Sequence, residues 1–177
     1  FLYFAHGAVH APLQARESDI AKYSGRYDIG WDKIREGRFA RQMAMGVVPA
    51  KTVLPRRNYE TGYEVPPWGS LSEEMRAIFA RYQEVYAGMV DNVDQNFGRI
   101  RAELEAMGEW ENTVVFFTSD NGASREGRSN GTSAYLRTLI SETRSNPHES
   151  TETDHHRLEL IGGPRSLAHY PQGWAMA

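Results

Sequence analysis

The 177-residue sequence contains no cysteine. That excludes disulfides, thiolate metal sites and a cysteine nucleophile within this stretch. Basic charge is not in excess: 20 Lys and Arg stand against 23 Asp and Glu, interspersed, for a net charge of −3. With no basic stripe, nothing addresses nucleic acid. No apolar run approaches the roughly 20 residues that cross a bilayer, and mean hydropathy is −0.60. There is no internal repeat. Disorder is excluded by composition too, since 40% of residues are hydrophobic and 11% aromatic. The length suits one domain of ordinary size, which buries roughly 70% of the surface of its unfolded chain. Phe1 lies already inside an apolar run, and "GWAMA" ends without a polar tail. Both ends are expected to be cuts through a longer polypeptide.

What is present reads as alternating strand and helix. "FLYFA", residues 1–5, is a short apolar run stopped by His6-Gly7 and predicts a buried strand. "AVHAPLQ" follows as a loop in which Pro12 pushes Ala11 out of the helical region. The segment "WDKIREGRFARQMAMG" could hold a helix ending at Gly46. Residues 46–69 carry Pro49, Pro55, Pro66 and Pro67 and predict a long irregular excursion. After it, Ser70 and Ser72 stand as candidate N-caps with acids behind them. Ile78, Tyr82, Val85, Met89, Val93, Phe97 (or Ile100), Leu104 and Met107 recur at steps of three and four, a single stripe along a helix that Gly108 ends. A turn at 109–112 leads to a second apolar strand, Thr113 to Thr118. Strand, helix and parallel return strand predict an α/β fold with a mostly parallel central sheet flanked by helices.

That second run stops at Asp120-Asn121-Gly122. In open α/β sheets ligands gather at the carboxyl ends of strands. A carboxylate and a carboxamide oxygen suit a hard cation such as Ca²⁺ or Mg²⁺, and Gly122 lets the backbone turn beside it. An ordinary turn uses the same residues, because Asp and Asn bond their own backbone. Two donors also fall short of the roughly six that such cations take. His10 follows the first strand. If the two strands are neighbours, His10 reaches the same rim, where an imidazole can meet an anion or protonate a leaving group. A surface histidine is the plain alternative.

"FLYFAHGAVHAPLQA", "VYAGMVDNVDQNFGRIRAELEAMGEWENTVVFFTSDNGAS" and "GGPRSLAHYPQGWAMA" together resemble the type I sulfatases, in the arylsulfatase branch of the alkaline-phosphatase-like superfamily. The resemblance runs through nearly the whole chain and rests on the ordered combination of H-x-P, long helix, apolar strand and S-D-N-G. It implies that Asp120 and Asn121 are Ca²⁺ ligands, and that His10 contacts the sulfate ester and assists departure of the alcohol. His6 has no counterpart and is expected to be structural or superficial. The family nucleophile is a formylglycine made from Cys or Ser in C/S-x-P/A-x-R, and no such motif occurs here. The early paired aspartates and the K-x-H motif are missing as well, and a substrate-binding lysine is expected beyond Ala177. The 177 residues are therefore expected to form part of a sulfatase catalytic domain, without the nucleophile segment and a C-terminal domain, and to be inactive alone. The implied substrate is a small-molecule or carbohydrate sulfate ester. Two other readings stand beside this one: phosphonate or phosphate monoester hydrolysis on the same scaffold, and a noncatalytic module whose D-N-G is only a turn.

Weaker signals complete the sequence. Asp154-His155-His156 lies in a Thr- and Glu-rich stretch that reads as solvated loop. Asn130-Gly131-Thr132 matches the N-glycosylation triplet. Tyr59, Tyr63 and Trp68 could line a substrate mouth or cover a sheet edge. His169-Tyr170-Pro171 could touch substrate, though core packing is the stronger expectation.

Overall fold

One helix organises the molecule, for which a computed structural model describes residues 1–57, 64–132 and 158–177. Helix α1 spans Glu17–Ile20 and runs into a 3₁₀ turn at Ala21–Tyr23. Helix α2 spans Gly30–Ala44, and α3 the 34 residues Glu73–Ala106, about 50 Å at the usual rise. A short helix, α4, covers Gln172–Met176.

The ends of α3 are where the caps place them. Ser72 Oγ accepts the Met75 N–H at 3.2 Å, and Glu73 and Glu74 occupy the first turn. At the other end Gly108 takes φ +72°, Glu109 N–H donates to the Leu104 carbonyl and Gly108 N–H to that of Glu105. This is a Schellman closure, which needs the left-handed residue that glycine supplies. Gly46 closes α2 in the same way, through Val47 N–H to the Gln42 carbonyl. Both predicted stops hold.

Along α3 the apolar stripe is buried through Ile78, Phe79, Tyr82, Val85 and Met89. Helix α1 crosses it at Gly88, where a Cβ would sit 3.1 Å from the Ile20 nitrogen. Asp19 pins that crossing: its Oδ1 accepts from Gln95 Nε2 at 2.8 Å and from Lys22 Nζ at 3.1 Å, and Lys22 also pairs with Asp91 at 2.9 Å. These partners hold the Asp19 carboxyl below its usual range, the Gln95 amide first and the Lys22 ammonium next.

Beside the upper half of α3 sits a cluster of tryptophans. Trp31 meets Trp68 edge-on at 4.9 Å and Trp174 at 5.7 Å, and lies 5.7 Å from Phe79. Each indole N–H reaches a backbone carbonyl: Trp31 that of Pro66, Trp68 that of Asp28, and Trp174 that of Phe79. Buried indoles need such partners. Trp68 is thus buried in the core, whereas Tyr59 and Tyr63 lie outside the described residues.

The two predicted strands do not form among the described residues. Residues 1–5 and 113–118 take no regular secondary structure and are largely exposed, Phe116 to 90% and Tyr3 to 80%, and no other strand forms among the described residues. Backbone pairing there is confined to isolated bridges, parallel at Gln14–Gly162 and antiparallel at Thr132–His169. The reason is physical. An extended run becomes a strand only when neighbouring backbone takes its N–H and C=O groups and apolar surface covers its side chains. Neither run finds such a neighbour here. At the C-terminus, α4 folds into the core. The Asp154-His155-His156 tract lies outside the described residues.

Candidate functional site

Asp120 and Asn121 stand exposed at the tip of the second extended run. Their bonds are local. Ser119 Oγ donates to the Asn121 carbonyl at 2.8 Å, and Asn121 Nδ2 to the Gly122 carbonyl at 2.8 Å. With Nδ2 so committed, Oδ1 is the atom the carboxamide can offer a ligand. Carboxylate and carboxamide oxygens side by side are hard donors, so the pair fits Ca²⁺ or Mg²⁺ in kind. It does not complete a coordination shell: among the described residues no group of three or more His, Cys, Asp or Glu side chains is placed to hold a metal.

His10 is exposed, in the loop that carries the Ala8–Val9 and Ala11–Pro12 cis peptides. Its Nδ1 lies 2.6 Å from the Ala11 carbonyl; since a carbonyl only accepts, the tautomer that satisfies this contact carries its proton on Nδ1 and leaves Nε2 facing outward for a ligand. His6 instead takes the Ala8 N–H on Nδ1 at 3.0 Å and packs edge-on against Phe4, a structural role.

The two candidate centres are joined through a third segment, residues 162–172. On the His10 side, Leu13 N–H donates to the Ala168 carbonyl at 2.8 Å, Ala15 N–H to Gly162, and the Gln14 amide to Ser166. On the Asp120 side, Thr132 and His169 exchange backbone bonds of 3.0 and 2.8 Å, and Gln172 N–H reaches the Arg128 carbonyl at 2.7 Å. Ser124 N–H donates to the Tyr170 phenolic oxygen at 3.0 Å. Two glycines make this approach possible. A Cβ on Gly127 would lie 1.9 Å from the Tyr170 carbonyl, and one on Gly131, at φ +68°, would lie 2.8 Å from that of His169.

His169 sits at the centre of the junction and is buried. Burial lowers its imidazole pKa, and nearby His10 adds to the lowering. The Tyr170 carbonyl and Glu126, whose Oε2 is 4.0 Å from Nε2, oppose it. It packs in the core, as expected. Sequence reasoning passed over Tyr170 as a structural partner of the D-N-G segment. The visible signal was two glycines four residues apart in a polar loop, where backbone must come close to something.

The Sulfatase family profile matches residues 1–161, so this chain belongs to the sulfatase family. Membership implies the alkaline-phosphatase-like α/β fold. The chain is 41% identical over all 177 residues to an uncharacterized sulfatase of Schizosaccharomyces pombe, of which it covers 29%. Over 124 residues, 70% of the chain, it is 32% identical to the arylsulfatase of Klebsiella aerogenes and covers 26% of it. A shorter stretch of 51 residues is 45% identical to the N-acetylgalactosamine-6-sulfatase of Rattus norvegicus, covering 26% of this chain and 10% of that protein. The chain thus spans less than a third of each of these relatives. No helix among the described residues is long and apolar enough to cross a membrane.

Proposed function

We propose that the protein to which these 177 residues belong hydrolyses sulfate esters, and that the residues form part of its catalytic domain. Family membership together with the hard-donor pair at 120–121 supports this. In the complete protein the runs 1–5 and 113–118 become strands of a mostly parallel central sheet flanked by helices. That sheet brings the tips carrying His10 and Asp120 together. The nucleophile, a formylglycine, lies in a segment outside these residues, and without it they do not turn over substrate.

Asp120 and Asn121 supply a carboxylate and a carboxamide oxygen to a Ca²⁺ ion, with further donors from elsewhere in the protein. The bound ion supplies positive charge against the sulfate oxygens, the kind of preset electrostatic help that hydrolysis of an anion needs. The exposure of both side chains keeps them within reach of ligand. As an oxygen of the nucleophile bonds to sulfur and the ester S–O bond breaks, the bonding electron pair moves onto the alcohol oxygen, and the His10 imidazolium gives that oxygen its Nε2 proton. The Ala11 carbonyl holds Nδ1 protonated and so fixes which nitrogen acts. The substrate is a small-molecule or carbohydrate sulfate ester.

The test uses the complete protein on an aryl sulfate and the matching aryl phosphate. Sulfate hydrolysis is expected to dominate. Asp120→Asn and chelation should each lower kcat/KM by about 10²-fold or more. His10→Ala should lower kcat by about 10²-fold. Preference for the phosphate would move the assignment to a phosphate or phosphonate monoester hydrolase. Thermal stability and activity indifferent to chelation would instead leave D-N-G as a turn in a noncatalytic module.

A further inference from the structure

Among the described residues, every hydrogen bond between Ser119 and Ala123 is local, so none of these bonds fixes where the tip stands relative to the rest of the molecule. Among the described residues, the first tertiary bond after Asn121 is that of Ser124 N–H to the Tyr170 phenol, three residues on. The other attachments of this segment come later: Glu126 at the His169 ring, Arg128 at Gln172 and Thr132 at His169.

Tyr170 is itself held on several sides. It is buried, and its ring meets Tyr86 of α3 edge-on at 5.4 Å and the His169 ring at 4.5 Å. Its backbone carbonyl accepts from His169 Nδ1 at 3.1 Å. Burial raises the phenol pKa, so the group remains a neutral hydroxyl whose oxygen accepts the Ser124 N–H. Tyr170 therefore ties the largely buried 166–170 segment to the backbone beside the D-N-G turn. The same 166–170 segment also carries the carbonyls that hold the His10 loop.

We propose that Tyr170 is a positioning residue, whose phenolic oxygen sets the Asp120–Asn121 pair in register with the His10 loop. The proposal rests on the reading of Asp120 and Asn121 as cation ligands. Loss of the hydroxyl leaves the ring packed but strands the Ser124 N–H, and the tip then samples positions in which its two oxygens no longer converge on one ion.

The complete protein is titrated with Ca²⁺, and the metal concentration giving half of the maximal gain in thermal stability is measured. Tyr170→Phe should raise that concentration about five-fold, the effect of one ordinary hydrogen bond. Its stability without metal should stay near wild type. Its sulfatase activity should fall at limiting Ca²⁺ and recover at saturating Ca²⁺. Tyr86→Leu loosens the same packing without touching the phenol. It should lower metal-free stability and leave the half-saturating concentration unchanged. A wild-type calcium response in Tyr170→Phe, with the response abolished in Asp120→Asn, overturns the proposal while the ligand reading stands. Equal shifts in Tyr170→Phe and Tyr86→Leu also overturn it, since packing alone would then account for the effect. No calcium response in wild type or in Asp120→Asn removes the ligand reading, and the proposal with it.

Discussion

The two halves of α3 carry the same apolar stripe and meet different fates. From Ile78 to Met89 the stripe is sealed beneath α1, the tryptophan cluster and residues 161–170. From Val93 onward it is only half-buried, and Met107 is 69% exposed. The run at 114–117 that follows is also uncovered. Periodicity says which face of a helix is apolar. It does not say whether anything covers that face, because the covering surface belongs to other parts of the fold.

The strongest way to break this comparison is to truncate one aromatic in each half. Phe79→Ala should cost about 3–5 kcal/mol, as for other buried phenylalanines. Among the described residues Phe97 meets no aromatic ring but Trp110, at 6.5 Å, and it is half-buried, so Phe97→Ala in the 177-residue chain should cost no more than about 1 kcal/mol. Denaturant unfolding of both variants checks the difference. In the complete protein the gap should narrow, because the proposed sheet would cover the second half. Equal costs in the short chain would dissolve the distinction.

A smaller effect is expected where the two halves meet. Asp19 and Asp91 both have carboxyl groups held below 3.8, by Gln95 first and Lys22 second. A carboxylate depressed in the folded state adds stability that is fully present above its unfolded value. That stability is lost as pH falls through the folded one. Asp19→Asn should therefore be less stable than wild type at neutral pH, with the two thermal unfolding curves converging below pH 3.8. A constant difference across the acid range would show that the network acts by packing alone. Smallest of the three, Ser72→Ala removes the N-cap of the buried half and should cost about 1 kcal/mol, read from denaturant midpoints.

Much of the helical architecture was legible because its signals are local. Ser72, Gly46 and Gly108 mark helix ends through backbone geometry that needs no distant partner. The sheet was not visible in the same way. "VVFF" at 114–117 states a preference for burial, and its fulfilment depends on strands that these residues do not form among themselves. The tryptophan cluster was missed for a related reason: Trp31, Trp68 and Trp174 are far apart in the chain, and nothing local signals that they meet. At the candidate site, Asp120, Asn121 and His10 were chosen for their chemistry. The segment that links their loops was hidden, because backbone-to-backbone docking through Gly127 and Gly131 leaves little trace in side-chain character.

The tryptophans carry a practical consequence. Of the four in the sequence, Trp31, Trp68 and Trp174 share one dry interior, while Trp110 lies half-buried beneath the Arg101 guanidinium, 5.0 Å from its ring. Intrinsic emission is thus a built-in pair of gauges: a blue-shifted trio that reports on the sealed region, and a single redder fluorophore at the far end of the long helix. Quenching by a dissolved anion such as iodide would silence the second long before the first.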